Sequence, residues 1–430
     1  MELKPGYKLT EVGVIPEDWD VKPLAVIAEK IMVGIASAAT HAYRERGVAM
    51  FRNQNIKAGY LDDSDMLFIA PEYEVAFRNK RLRSGDLLTA RTGYPGVTAV
   101  VPPQYDSAQS FTTLITRPKQ QESESNYLCH FINSEIGQKF FTQSQIGGAQ
   151  KNVNAGTLRG MPVPLPKLPE QRSIATALSD MDELLGACER LIAKKRDLKQ
   201  AAMQQLLTGK TRLPGFGEGK GYQQTEVGEI PEDWNIFVIE ELGTVIRGAS
   251  PRPKGDKRYY GGEVPRLMVE DVTRDGKFVT PSVDFLTEEG ARRSRPCPKG
   301  TLTLVCSGTV GIPSFLAIDA CIHDGFLALI DIKKKVDDDF LYHFLKTQQS
   351  RFDNSATHGG VFTNLTTEIF KNFKVPLPTK VEEQRAIATV LSDMDAEIAT
   401  LEQRRDKTRA LKQAMMQELL TGRIRLIDNR

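Results

Sequence analysis

No apolar run in the sequence approaches the roughly 18 residues that a membrane-spanning helix needs, and the opening MELKPGYKLTEVG carries no apolar signal core. A soluble, cytoplasmic protein without membrane contact is expected. The five cysteines (Cys129, Cys188, Cys297, Cys306 and Cys321) are odd in number and show neither a CxxC pair nor a Cys/His ligand spacing. That argues against a disulfide frame and a zinc site, and for a reducing compartment. An excess of one charge is lacking too: 57 Lys and Arg against 55 Asp and Glu leave a formal +2. No global field therefore draws nucleic acid, and any such contact must rest on local basic patches.

Catalytic signatures are equally scarce. An amino-methyltransferase would show a glycine-rich cofactor loop and an Asn/Asp-Pro-Pro-aromatic tetrapeptide, whereas Val101-Pro102-Pro103-Gln104 lacks both the leading Asn or Asp and the aromatic. A translocase needs GxxxxGK[ST]; Leu207-Thr208-Gly209-Lys210-Thr211 has the GKT but lacks the glycine four intervening residues upstream, and it reads as a helix cap. With no HExxH and no close carboxylate cluster, the expectation is no catalytic site, no metal and no cofactor bound by this chain.

What the chain does have is a second copy of itself. Tyr7 to Trp19 reads YKLTEVGVIPEDW and Tyr222 to Trp234 reads YQQTEVGEIPEDW, 215 positions on. EQRSIATALSDMDELL from Glu170 returns as EQRAIATVLSDMDAEI from Glu383, and LLTGK at Leu206 as LLTGR at Leu419, 213 positions on. Between these blocks the likeness fades to echoes: SGDLLTARTGYPG from Ser84 over KGTLTLVCSGTVG from Lys299, FRNQNIKAG from Phe51 over LMVEDVTRDG from Leu267, and NYLCHFINSEIG near Tyr127 over DFLYHFLKTQQS near Phe340. Each unit is thus a variable globular part followed by a constant helical part. At 430 residues, two full cores are affordable.

The constant parts predict two long helices. Ile174, Leu178, Met181 and Leu185 recur at coiled-coil spacing, followed by Cys188 and Ile192; Ile387, Leu391, Met394, Ile398 and Leu401 do the same before meeting Arg405. Pro169 suits a first-turn position, Thr379 with Glu382 suits a capping box, and Gly209 and Gly422 suit left-handed C-terminal caps. Neither seam belongs in water alone, so the helices are expected to pair antiparallel. Each of about 38 residues would be about 57 Å long, a ruler between the globular parts. The tail near Arg425 should return beside Tyr7 to Trp19, closing a circular pseudo-twofold order. The expected layout is two mixed α/β domains (1–167 and 222–378), helices over 168–209 and 379–422, a linker over 210–221 and a tail over 423–430. A coiled-coil scaffold with two protein-binding domains is the other reading. It leaves unexplained why the helices stay nearly identical while the globular surfaces diverge, as a reader of two unlike half-sites would.

These residues resemble the specificity subunits of type I restriction-modification systems. The likeness covers the whole chain: a G-x-IPxxW segment (Gly13 to Trp19; Gly228 to Trp234) opens each unit, and a PLP strand and EQR helix (Pro164 to Arg172; Pro376 to Arg385) close it. The resemblance implies that each domain reads one half of a split double-stranded DNA target across an unread spacer. It further implies that the chain joins two methyltransferase subunits, which hold S-adenosylmethionine, and restriction motor-nuclease subunits.

Candidate DNA contacts follow from the divergent parts. Arg78, Lys80, Arg81 and Arg83 in the first copy, and Arg292, Arg293, Arg295 and Lys299 in the second, are cationic at corresponding places and suit phosphate anchoring, or are plain solvated charges. The glycine-bounded loops that follow offer different side chains to base edges: Arg91, Thr92 and Tyr94 in one, Ser307 and Thr309 in the other. The alternative is an ordinary tight turn. A second pair of segments carries Gln150, Lys151 and Asn152, matched by His358, Thr363 and Asn364. Arg252, Lys254, Arg258 and Tyr259, with Lys257, form a further basic stretch. Lys194, Lys195, Arg196 and Lys199, and Arg404, Arg405, Lys407, Arg409 and Lys412, are either a solvated helix face or a docking face for methyltransferases.

Overall fold

The computed structural model describes residues 4–37, 39–144, 152–355, 357–358 and 363–426. The chain divides into two compact units, one of residues 1–190 with 402–430 and the other of residues 191–401. Both long helices are continuous, Leu168–Leu206 and Val381–Leu419, and each contributes a segment to either unit.

The first unit opens on a hairpin, Tyr7–Thr10 against Gly13–Pro16, and the buried Trp19 follows it. Asp20–Pro23 then pairs antiparallel with Pro162–Leu165. In a two-stranded ribbon each proline turns its missing donor outward, so Pro23, Pro162 and Pro164 are tolerated here. The domain proper has two four-stranded sheets. One is antiparallel, in the order Thr98–Val100, Leu87–Thr89, Leu114–Pro118, Ala28–Val33; the other orders Gln109–Ser110, Val48–Phe51, Leu67–Ile69, Tyr43–Arg44, with its first pair parallel.

The second unit repeats this plan. Tyr222–Thr225 pairs with Gly228–Pro231, and Trp234–Val238 with Lys374–Pro378. A five-stranded sheet is built on Thr244–Arg247, Phe326–Ile330, Leu302–Val305 and Pro313–Leu316, and a four-stranded one again carries a parallel pair, Tyr260–Leu267 with Ala320–Ile322. The weakest sequence echo is real in three dimensions: Asn55 accepts from the Arg52 N–H (2.8 Å) and Asp271 from the Met268 N–H (3.0 Å), the same local bond in each copy.

Within each unit the helical segments lie antiparallel. In the first, Lys412 pairs with Asp182 and Arg409 with Glu189 (3.0 Å); in the second, Lys199 pairs with Asp395 and Lys195 with Glu397 (2.6 Å). Ile174 and Leu178 are buried in one core with Trp19, Leu419 and Leu420, and Ile387 and Leu391 in the other with Trp234, Leu206 and Leu207. Met181, Leu185, Met394 and Leu401 are only half-buried, while Ile398 is buried. The apolar seam is therefore widest at the helix ends, where the globular domains add to it.

The circular order holds inside the first unit. Tyr7 Oη donates to the Gly422 carbonyl (3.1 Å), and the Arg425 guanidinium forks onto Asp18 (2.9 Å, twice) and Glu170 (2.6 and 2.9 Å). In the second unit Tyr222 Oη reaches the Gly209 carbonyl (3.2 Å), and Arg212 forks onto Asp233 (2.8 and 3.0 Å) and Glu383 (2.5 and 2.7 Å). Gly209 (φ 71°) and Gly422 (φ 67°) end the helices as left-handed caps. A Cβ on either would stand 2.5 Å from a ring carbon of Pro231 or Pro16, so both the conformation and the space demand glycine. The expected capping box at Thr379 does not form: the Thr379 hydroxyl donates to the Asp233 carbonyl (2.5 Å) and the helix starts at Val381.

The EQR segment explains its own repetition. Gln171 accepts from the Glu124 N–H (2.9 Å) and donates to the carbonyls of Glu122 (3.0 Å) and Pro166 (2.9 Å); Gln384 does the same with Asp337 (2.8 Å), Lys335 (3.0 Å) and Pro378 (2.8 Å). Every polar atom of a buried amide is used, which fixes each long helix to the globular part before it.

Candidate nucleic-acid interface

In the first unit the loop between Leu87–Thr89 and Thr98–Val100 carries Arg91, Thr92 and Tyr94. Its frame is closed by the Ala90 N–H to the Val97 carbonyl (2.8 Å) and the Gly96 N–H to the Ala90 carbonyl (2.9 Å). The second unit builds the same frame, with the Val305 N–H on Ile312 (3.0 Å) and the Gly311 N–H on Val305 (2.8 Å). Gly96 (φ 92°) and Gly311 (φ 84°) lie under the rings of Phe141 and Phe352. Like frames thus present unlike side chains: Arg91, Thr92 and Tyr94 against Ser307 and Thr309.

The structure brings the loop and the second candidate segment together in each unit. The Val153 N–H donates to the Arg91 carbonyl (3.0 Å), which sets the exposed Asn152 beside the first loop. The Leu365 N–H donates to the Cys306 carbonyl (2.8 Å) and Ser307 bridges Asn364, beside the strand pair Thr357–His358 and Thr363–Asn364. Gln150 and Lys151 lie outside the described residues, as do the side chains of His358 and Thr363.

The basic candidates divide. Arg78 and Arg83 are exposed and make no ion pair with the described residues. Arg81 instead grips the buried Glu74 through two bonds of 2.6 Å, with Gln109 also donating to that carboxylate (2.8 Å). The bond from Arg81 holds the Glu74 carboxyl below its usual range, against the effect of burial. Lys80 donates to the Gly34 carbonyl (2.8 Å). In the second unit Arg258 is paired with Asp256 (2.7 Å), Arg293 with Glu289 (3.6 Å) and Arg252 with Asp324 (3.6 Å), while Arg295 donates to the Arg247 carbonyl (3.3 Å). Arg292, Lys254 and Thr309 are exposed. Tyr259 does not belong among the surface readers: it is only 2% exposed, capped by the guanidinium groups of Arg293 (4.7 Å to the ring centre) and Arg258 (5.2 Å). The two arginines shield the ring, so the aromatic of that basic stretch is internal.

Two residues of this surface escaped the sequence reading. Asn53 accepts from the Arg91 N–H (2.7 Å) and donates to Thr112 Oγ1 (3.2 Å), tying the first loop to the neighbouring sheet. Arg247 donates to Asn364 Oδ1 (3.0 Å) and the Asp324 carbonyl (3.1 Å), tying the second. Asn53 stands inside the FRNQN echo, which was the available signal. Arg247 pairs with Leu327 where Val33 pairs with Leu114, so repetition pointed away from it.

Among the described residues no cluster of three or more His, Cys, Asp or Glu is placed to hold a metal ion, and no helix is long and apolar enough to cross a membrane. All five cysteines are free and buried.

Comparison with known proteins agrees with the duplicated plan. Residues 16–194 and 231–408 each match the type I restriction modification DNA specificity domain. A putative type I restriction enzyme specificity subunit, MjaX, of Methanocaldococcus jannaschii is 28% identical over 98% of this chain and 97% of its own. The EcoKI specificity subunit of Escherichia coli is 23% identical over 46% of this chain and 44% of its own. In fold, the type I restriction-modification S subunit of M. genitalium is similar at a TM-score of 0.60 and 14% identity, over 97% of this chain and 99% of that one. A chain from a type I restriction-modification assembly gives 0.57 at 20% identity, over 95% and 99%. With the domain present twice and spanning most of its length, the chain belongs to the type I restriction-modification DNA specificity family.

Proposed function

We propose that the chain is the non-catalytic specificity subunit of a cytoplasmic type I restriction-modification enzyme, in which each globular domain reads one half of an asymmetric, bipartite DNA target. The observation that carries this reading is the pair of matched loop frames with unmatched side chains. A loop kept in shape by identical backbone bonds, but fitted with Arg91 and Tyr94 in one copy and Ser307 and Thr309 in the other, suits two different base sequences in the same geometry. Arg78 and Arg83, exposed and unpaired among the described residues, suit phosphate anchoring.

The two long helices set the spacer and dock two methyltransferase subunits, which bind S-adenosylmethionine; this chain binds no cofactor itself. Exposed helix positions kept identical support a partner present twice: Leu198 and Leu411 are 47% and 55% exposed, and Ala201 and Ala414, Gln204 and Gln417 accompany them at three-residue steps. Restriction motor-nuclease subunits complete the assembly.

Sequencing of methylated sites in cells that carry the chain with its methyltransferase tests the proposal. Two unlike half-sites separated by a fixed spacer are expected, and Arg91→Ala relaxes one half-site alone. Base-independent binding, or an equal effect of Arg91→Ala on both halves, overturns it.

A further inference from the structure

Tyr94 is 78% exposed at the tip of the first loop, the most exposed large apolar ring of the described residues. Nothing about the loop is slack. Besides the frame already described, the Tyr94 N–H donates to the Thr92 carbonyl (3.0 Å) and the Tyr94 carbonyl accepts from the Val97 N–H (3.2 Å). Pro95 follows and restricts the Tyr94 backbone to extended conformations. The backbone from which the ring projects is therefore fixed, and among the described residues its hydroxyl has no hydrogen-bond partner and its face no aromatic neighbour. Folding gains nothing from that placement.

Three residues earlier, Arg91 Nε is buried with no hydrogen-bond partner among the described residues. A projecting aromatic face with a cation beside it on a rigid turn has the chemistry that receives a nucleobase: the ring stacks on the base, and the guanidinium meets a phosphate or base edge. At the matching place of the second loop stands Thr309, exposed and without a ring.

Resting on the DNA-reading function above, we propose that Tyr94 is a stacking wedge. It enters between two base pairs of the half-site read by the first unit and unstacks that step, while the second unit reads its half-site without unstacking. The two half-sites are then recognised in physically different ways, one through the cost of deforming a particular base step and the other through edge contacts alone.

The test uses the full chain without its methyltransferase, so that no base is displaced by another subunit. The probe is a set of duplexes of the mapped target, each with 2-aminopurine at one position. Increased fluorescence on binding is expected at one step of one half-site only. Tyr94→Phe should keep it, since the ring and not the hydroxyl does the stacking. Tyr94→Ala should abolish it and weaken binding by about 5- to 100-fold, with an unchanged circular-dichroism melt. Thr309→Ala should leave the whole profile as it was. A flat profile from a chain that still prefers target to scrambled duplex overturns the wedge alone. The same holds if the signal survives Tyr94→Ala or is lost in Tyr94→Phe. A chain with no preference for target over scrambled duplex overturns the DNA-reading function and the wedge with it.

Discussion

Arg425 and Arg212 each neutralise two carboxylates at once, and one of those, Glu170 or Glu383, is buried. Removing the guanidinium leaves an uncompensated charge inside the protein, which typically costs about 3–5 kcal/mol. Arg425→Ala should lower the unfolding free energy of the first unit by that order, read as a lower denaturant midpoint, and Arg425→Lys should rescue little, because a point charge cannot serve two carboxylates bidentately; an unchanged midpoint would refute the latch. Two histidines set a different limit. His130 bonds Ser179 Oγ (3.2 Å) and His343 bonds Ser392 Oγ (3.1 Å). Burial is the main cause that lowers both to about 4, helped by Lys412 at His130 and by Lys277 and Lys199 at His343, and opposed by Asp182 and by Asp395 with Asp339. Because the unfolded chain takes up these protons first, near pH 6.5, stability is full at neutral pH and declines as pH falls from there toward 4. The loss is up to about 3 kcal/mol per histidine. Urea unfolding between pH 7 and 4.5 should show this slope, and His343→Gln should flatten it; an identical slope in the variant would exclude His343 as its source.

At the scale of elements, the long helices were legible because a seam needs only spacing, and the repeat because it needs only comparison. Partnership between side chains was less so. The phosphate role expected of Arg81 gave way to Glu74, seven residues upstream, so Arg81→Ala should destabilise the first unit rather than weaken salt-dependent binding. Tyr259 looked like a surface aromatic until two arginines covered it. The meeting of Arg91 with Val153 joins residues 62 positions apart, and no local pattern announces that. The helices carry their own test. Four residues inserted between Arg190 and Leu191 lengthen one helix by about 6 Å, close to two base pairs of B-DNA at about 3.4 Å each. The methylated target should keep both half-sites and change its spacer, and altered half-site bases with an unchanged spacer would show that the helix is not the ruler.

For the whole molecule, the decisive fact is that the first unit is completed by residues 402–426, whereas the second is contiguous. LLTGK-TR after the first helix and LLTGR-IR after the second make matching contacts, each in its own unit. A fragment of residues 1–215 should therefore form a homodimer in which Arg212 of each copy serves Asp18 and Glu170 of the other. With methyltransferase, it should direct methylation to an inverted repeat of the first half-site. A fragment ending at Lys210, without that arginine, should dimerise more weakly. Sedimentation and methylation mapping decide; a monomer at micromolar concentration would refute the exchange. The same arrangement bears on synthesis. As the chain leaves the ribosome, residues 191–401 can close on themselves, but Trp19 and Glu170 must wait for the segment around Arg425, translated more than 200 codons later. A chain cut short by only two dozen residues would hold one closed unit and one whose buried Glu170 has lost its arginine, so a truncation near the end of translation disables the unit made first.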